Sequence, residues 1–239
     1  MKRKAFLKKG LLGVGTVVVG LPTVMASCSN SDDDIETDNT FTTSGDGSCT
    51  VSPQETAGPF PIITPASLVK ANIISDRNGV ALLINLTVNK RESSDVCNPL
   101  AGVYVDLWHC DSEGNYSQYG GTNMQSTNYS DKNFLRGRQL TDSNGQVSFI
   151  SIFPGWYRGR APHIHIEILD TDEKSLGVTQ IAFPKEVCNT VYSTTYYNGE
   201  ADTSNESDNV FSDSLDGNMA DSVSGNTEDG YTLEKVITV

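Results

Sequence analysis

Two of the three histidines in the chain lie two positions apart, in His163-Ile164-His165. Side chains at positions i and i+2 of a strand point to the same face, about 6–7 Å apart along the strand. This spacing suits two ligands of one metal ion, because neutral imidazole is a common ligand of transition metals. The pair alone is a weak signal, since histidines with a purely structural role are common in β proteins.

Two aromatic-rich segments could bring phenolic oxygens to the same place. Residues 153–162, FPGWYRGRAP, are dense in proline and glycine and carry Tyr157 and Arg160 just before the histidines. Residues 106–116, DLWHCDSEGNY, run from a strand into a turn and end on Tyr116. The sequence thus offers two phenols and one guanidinium that could lie beside the two imidazoles.

Several stretches of the chain resemble the intradiol ring-cleavage dioxygenases, and in particular the short exported members of that family. The three longest are VDLWHCDSEGNYS at 105–117, FLRGRQLTDSNGQVSFISIFPGWY at 134–157 and GRAPHIHIEI at 159–168. Shorter matches are ETAGPF at 55–60 and VTQ at 178–180. The motifs follow the order of the family, and the resemblance covers residues 49–239.

The resemblance implies cleavage of a catecholic ring by O₂, at a non-haem Fe(III) centre, to a cis,cis-muconate-type diacid. The iron ligands that it implies are Tyr116, Tyr157, His163 and His165. Tyr157 would also act in catalysis by leaving the metal and taking a substrate proton, and Arg160 would stabilise negative charge. Residues implied to contact the substrate are Thr56, Gly58, Pro59 and Gln180.

The chemistry of the donors independently favours a hard trivalent ion. A phenol has a pKa near 10, so tyrosine binds a metal only where a strong Lewis acid displaces its proton. Zn²⁺ and Fe(II) do this poorly. Two tyrosinates and one hydroxide would cancel the three charges of Fe(III), which lowers the cost of placing the ion in a poorly solvated pocket.

Two other classes of protein are alternatives to an intradiol dioxygenase. A cupin-like metal enzyme would need a third ligand such as Glu167, but His163 and Glu167 lie about 13 Å apart along one strand. A catalytically inactive surface lipoprotein of the same fold, binding a glycan or a phenolic ligand, is the second alternative. Iron content separates the enzyme from this inactive relative.

Short apolar runs separated by turn signals predict an all-β fold. The runs are 80–88, 103–108, 147–152, 163–169, 178–183 and 231–239. Such a pattern is typical of an antiparallel sandwich or barrel, and we predict an antiparallel β-sandwich core, prealbumin- or immunoglobulin-like, with long loops. Residues 198–230 hold nine acidic residues and no Lys or Arg, which predicts a long surface excursion before the closing strand. One domain is expected over residues 49–239.

Four cysteines lie within this domain, at positions 49, 97, 110 and 188. An even number in an exported chain suggests two disulfides. A Cys97–Cys110 bridge is excluded, because thirteen extended residues span roughly 40 Å whereas bridged Cα atoms lie about 5.5 Å apart. Either Cys49–Cys97 with Cys110–Cys188 or Cys49–Cys110 with Cys97–Cys188 remains, and we favour the former.

The amino terminus has the pattern of a bacterial lipoprotein signal. Basic residues are followed by sixteen uncharged ones from Leu11 to Ala26, fewer than the roughly 20 apolar residues that span a bilayer. Met25-Ala26-Ser27-Cys28 resembles a lipobox, so we predict a signal peptide over 1–27 and lipidation of Cys28. Residues 28–48, polar and acidic, predict a disordered tether, and the protein is expected in the outer membrane or at the cell surface.

Charge restricts the partners of the protein. Acidic residues outnumber basic ones by 30 to 17, which gives a formal net charge of −13. A surface of this sign repels phosphate backbones, so nucleic acid is not expected as a partner. We expect contact with a membrane only through the lipid on Cys28, and a small catechol and O₂ as substrates.

Overall fold

A computed structural model describes residues 49–239, which are mostly β. The strands are β1 (Ala81–Ser93), β2 (Val96–Pro99), β3 (Tyr104–Trp108), β4 (Arg136–Leu140), β5 (Gln146–Ile152), β6 (His163–Leu169), β7 (Ser175–Ala182), β8 (Ser222–Asn226) and β9 (Gly230–Thr238). The helices are α1 (Lys185–Tyr192) and α2 (Leu215–Asn218), with 3-10 turns at Pro65–Leu68 and Asn205–Ser207. All six strands predicted from the sequence are present.

The strands form two sheets. One has the order β4-β3-β6-β7 and is antiparallel throughout. The other has the order β2-β1-β9-β8, with β5 also paired to β1. The expectation of a wholly antiparallel fold is wrong at one place, because β9 runs parallel to β1 after the long connection that follows β7. The closer likeness to a prealbumin or immunoglobulin sandwich stays a prediction.

One apolar core receives side chains from both sheets. Alternate residues of β1 are buried in it, from Leu82 to Val88, and so are Val105 and Leu107 of β3. In β6 the isoleucines at positions 164, 166 and 168 point into this core. Since side chains alternate along a strand, the histidines of β6 must lie on the other face of the four-stranded sheet. The candidate site is therefore built on the face that points away from the main core.

Residues 198–230 lie mostly at the surface, as their composition predicts, but a few of their side chains are buried. Asp208 and Phe211 are fully buried within this stretch. Strand β8 pairs with β9 in an antiparallel hairpin, so the stretch also extends the second sheet. The acidic composition gave no sign of this burial, because isolated buried residues leave no periodic signal in the sequence.

Only one of the two favoured disulfides is present. Cys49 is bonded to Cys97, whose strand lies beside the end of β1, as predicted. The predicted Cys110–Cys188 bridge is wrong, since both residues are free thiols. Cys110 packs in a small cluster with Tyr116, whereas Cys188 lies on α1 and faces the main core. Burial raises the pKa of both thiols, that of Cys188 to about 12, which disfavours the reactive thiolate.

We expect Cys97→Ser to lower the free energy of unfolding by about 2–5 kcal/mol, because the bridge joins residues 48 positions apart. Urea titrations with and without reductant measure this difference. Cys188→Ser is the control, and its stability should still respond to reductant as the wild type does. A wild-type transition unchanged by reductant would contradict the bridge.

The signal peptide predicted over 1–27, the tether over 28–48 and Cys28 lie outside the described residues. Within residues 49–239, no helix is long and apolar enough to cross a membrane.

Candidate active site

Strand register places four polar or aromatic side chains in one row across the outer face of the four-stranded sheet. Trp108 of β3 lies opposite Arg136 of β4 on one side and His165 of β6 on the other. His165 in turn lies opposite Gln180 of β7. All four side chains are buried. Backbone hydrogen bonds between the paired strands hold these four residues in place, so the sheet is a rigid support for the site.

The two histidines converge at their Nε2 atoms, which lie 3.1 Å apart. His163 donates from Nδ1 to the carbonyl of Ala161 at 2.6 Å, which leaves its Nε2 as a free acceptor. His165 is held differently, by a parallel stack on Trp108 with ring centroids 5.0 Å apart. Its Nδ1 is buried without a hydrogen-bond partner among the described residues. The sequence prediction that both imidazoles share one face is confirmed.

Tyr116 reaches the same point from the turn after β3. Its hydroxyl lies 3.4 Å from Nε2 of His163, and its side chain is fully buried. The side-chain amide of Gln125 holds its backbone on both sides, accepting from the Tyr116 N–H at 2.6 Å and donating to the Tyr116 carbonyl at 2.8 Å. Sequence reasoning missed Gln125, which lies in a turn-rich stretch with no motif.

The turn that carries Tyr116 interlocks with the loop that carries Tyr157. Gly114, at φ +88°, packs so closely on the Trp156 carbonyl oxygen that a Cβ would overlap it. Gly155 packs in the same way on the carbonyl of Asp111 and donates its N–H to it at 3.2 Å. Two glycines, one in each loop, therefore fix the distance between the two tyrosines, whose ring centroids lie 5.7 Å apart.

Arg160 links Tyr157 to the sheet. One terminal nitrogen, Nη1, donates to the Tyr157 hydroxyl at 3.5 Å, and Nη2 donates to Oε1 of Gln180 at 2.6 Å. The Gln180 amide nitrogen then donates to the carbonyl of Thr56 at 2.7 Å. The guanidinium thus lies at the edge of the cluster formed by the two histidines and the two tyrosines, beside the imidazoles as the sequence predicted.

Residues 55–60 cover the cluster from above. Gly58, at φ +70°, lies against the His165 ring, and a Cβ there would come within 2.8 Å of Cε1. The Phe60 ring stacks on Tyr116 with centroids 4.8 Å apart. Thr56 contributes its backbone carbonyl to Gln180, while its side chain and that of Pro59 are exposed. The predicted contact of Pro59 with substrate stays a prediction.

Burial decides the protonation of the candidate ligands. It lowers the pKa of His163 to about 3, and that of His165 well below its ordinary value, so both imidazoles are neutral at pH 7. Burial also raises the pKa of Tyr157, and raises that of Tyr116 well above its ordinary value. The nitrogens are ready to bind a metal ion, whereas the phenols must be deprotonated by it.

Arg136 places a buried positive charge beside Tyr116. Its guanidinium lies 5.8 Å from the Tyr116 ring centroid and donates to the backbone carbonyl of Ser117 at 2.7 Å. Among the described ion pairs, none gives Arg136 a carboxylate partner, and burial lowers its pKa to about 10. A cation here favours the phenolate form of Tyr116.

The donor set fits a metal ion. Two nitrogens bound at about 2.1 Å and at right angles would lie about 3.0 Å apart, close to the observed Nε2–Nε2 distance. Over residues 49–239, no group of three His, Cys, Asp or Glu side chains could hold a metal ion. A site here would therefore depend on tyrosine, and two phenolic donors suit a hard trivalent ion better than Zn²⁺.

Comparison with known proteins shows that the chain is similar to dioxygenases. A family model described as dioxygenase matches residues 61–196. The chain is 29% identical over 153 residues to chlorocatechol 1,2-dioxygenase of Rhodococcus opacus, covering 53% of this chain and 54% of that enzyme. It is 30% identical over 116 residues to the protocatechuate 3,4-dioxygenase beta chain of Burkholderia cepacia, covering 45% and 48% respectively.

Among solved structures, an intradiol ring-cleavage dioxygenase from Tetranychus urticae superposes with a TM-score of 0.69 at 28% identity. The superposition covers 80% of this chain and 94% of that one. Because the family match spans more than half of the chain, the protein belongs to the intradiol ring-cleavage dioxygenases. It spans about half the length of the curated relatives that it matches.

Proposed function

We propose that the protein cleaves a catecholic ring between its two hydroxyl-bearing carbons with O₂, and yields a cis,cis-muconate-type diacid. The observation that carries this proposal is the convergence of His163 Nε2, His165 Nε2 and the Tyr116 hydroxyl, with Tyr157 beside them. The relatives named above are catechol and protocatechuate dioxygenases, which supports the same reaction class.

The proposed cofactor is Fe(III), held by Tyr116, Tyr157, His163 and His165. When bound, the ion supplies Lewis acidity for catechol chelation and one-electron chemistry toward O₂. The structure is consistent with this ligand set, because the two imidazoles are neutral and each phenol lies near a guanidinium, Tyr116 near the buried Arg136 and Tyr157 near Arg160.

Tyr157 and Arg160 have the proposed catalytic roles. Tyr157 is the less buried of the two tyrosines, and as a tyrosinate it would accept a proton from a catechol hydroxyl. Arg160 lies next to it, so its charge both stabilises a Tyr157 phenolate and faces the negative charge that develops on the ring. Gly58 and Phe60 close the cluster from above and limit its contact with water.

The purified protein tests the proposal directly. Tyrosinate bound to Fe(III) absorbs visible light, so we expect a red-brown protein with about one iron per chain and a band that moves to longer wavelength with catechol under nitrogen. Admitting O₂ should then convert the catechol to a muconate absorbing in the ultraviolet. A colourless protein after loading with Fe(III) would refute the iron site. A colourless protein would also favour the inactive phenolic-binding lipoprotein, whereas a coloured protein that cleaves no catechol would refute the proposed reaction.

We also propose that the enzyme is exported and anchored by a lipid on Cys28, in the outer membrane or at the cell surface. The support is the sequence pattern Met25-Ala26-Ser27-Cys28 alone. The disulfide between Cys49 and Cys97 is compatible with an oxidising compartment.

A further inference from the structure

None of the functions assigned above involves Asp208, whose carboxylate is deeply buried. It is fully buried, although it comes from the acidic stretch 198–230. It also lies beyond residues 61–196, which match the family model. A buried carboxylate is costly unless it is paired and fully hydrogen-bonded, so its partners indicate what it is for.

Asp208 binds the one nitrogen of Arg160 that does not face the site. Nε of Arg160 donates to both carboxylate oxygens, at 3.0 Å to Oδ1 and 2.9 Å to Oδ2. The backbone N–H of Ala161 donates to Oδ2 at 2.6 Å, and that of Val210 donates to Oδ1 at 2.8 Å. All the partners of the carboxylate are therefore N–H donors, as an ionised carboxylate requires.

This arrangement fixes the direction of the guanidinium. Because its Nε is bound to Asp208, the plane of Arg160 is set and its two outer nitrogens are left for Tyr157 and Gln180. The bond from Asp208 to Ala161 N–H holds the backbone on which Arg160 is mounted. An arginine side chain has several rotatable bonds, so without this partner its charge would be spread over many positions.

We propose that Asp208 is a positioning residue for Arg160, and that the acidic stretch 198–230 belongs to the active site for this reason. The inference rests on the proposed function, since it assigns a partner to the residue proposed to stabilise negative charge. Asp208 acts through Arg160 and touches neither the substrate nor the metal.

The test is a double-mutant cycle with Asp208→Asn and Arg160→Ala. In the wild-type background, Asp208→Asn should lower kcat about 10- to 100-fold, the range expected when a group at the reacting centre is misplaced by about 1 Å. The loss should fall on kcat more than on KM, because the charge of Arg160 matters most in the transition state. In the Arg160→Ala background the same substitution should change kcat less than about threefold, since coupled residues are not additive.

The control is Asp213→Asn, which removes the same charge from an exposed position of the same stretch. Its kcat should lie within about twofold of wild type, as for surface changes generally. Iron content and colour per folded molecule should be unchanged in Asp208→Asn. Equal losses in both backgrounds, or a loss of iron in proportion to the loss of activity, would overturn the proposal.

A second measurement does not depend on turnover. The Nε–H of Arg160 should give a resolved, slowly exchanging ¹⁵N NMR signal in chelator-treated protein, assigned by its absence in Arg160→Ala. Asp208→Asn should shift this signal and accelerate its exchange. If the wild type cleaves no catechol, the proposed function fails, while this signal still decides whether Asp208 holds Arg160. A signal unaffected by Asp208→Asn would refute the positioning role.

Discussion

Replacing His165 by alanine should remove iron and ring cleavage together. Its Nε2 lies 3.1 Å from that of His163 and its pKa is held low by burial, so it offers an uncharged donor at the centre of the cluster. Loss of an outer partner of a ligand typically costs 10- to 100-fold in metal affinity, and loss of the ligand itself should cost at least about that much. Metal analysis and the visible spectrum of the purified variant measure the effect.

His109 provides the matched control for this variant. It is equally buried, but both ring nitrogens are occupied by groups outside the proposed ligand set, the Cys110 carbonyl at 2.8 Å and the Ser151 hydroxyl at 2.7 Å. His109→Gln should lower thermal stability and keep about one iron per folded molecule. Wild-type iron content and turnover in His165→Ala would contradict the proposed ligand set.

The sequence predicted the parts of the site that depend on local periodicity. Alternation along residues 163–169 required both imidazoles of β6 to share a face, and the strand pairs as that pattern implies. The interlocking glycines at 114 and 155 lie within the motifs that carry the family resemblance. In each case the relevant information lies within a few residues, where steric rules and strand geometry act directly.

Long-range contacts escaped sequence reasoning. Asp208 lies 48 positions from Arg160, and nothing in its neighbours distinguishes it from the exposed Asp213. The parallel pairing of β9 with β1 is similarly a consequence of the path of a long connection. The two free thiols illustrate the same limit, because an even number of cysteines sets no constraint on which of them meet in space.

Replacing Arg160 by lysine or alanine should separate catalysis from iron binding. Arg160 does not belong to the proposed ligand set, so both variants should keep their iron and their red-brown colour. Turnover should fall by about 10²–10³-fold in Arg160→Ala, the loss typical of deleting one preorganised charge-stabilising group. Lysine keeps the charge but cannot reach both Asp208 and Gln180 with a planar fork, so Arg160→Lys should recover only part of the activity.

Stability must be measured beside activity in these variants. Arg160→Ala leaves Asp208 buried without its cation, and breaking a buried ion pair on one side costs about 3–5 kcal/mol. The double variant with Asp208→Asn should therefore unfold at a higher temperature than Arg160→Ala, even though it is no more active. The neighbouring Arg158 is exposed, so Arg158→Ala should leave both turnover and melting temperature unchanged. Wild-type turnover in folded, iron-loaded Arg160→Ala would show that this guanidinium does not stabilise the reaction.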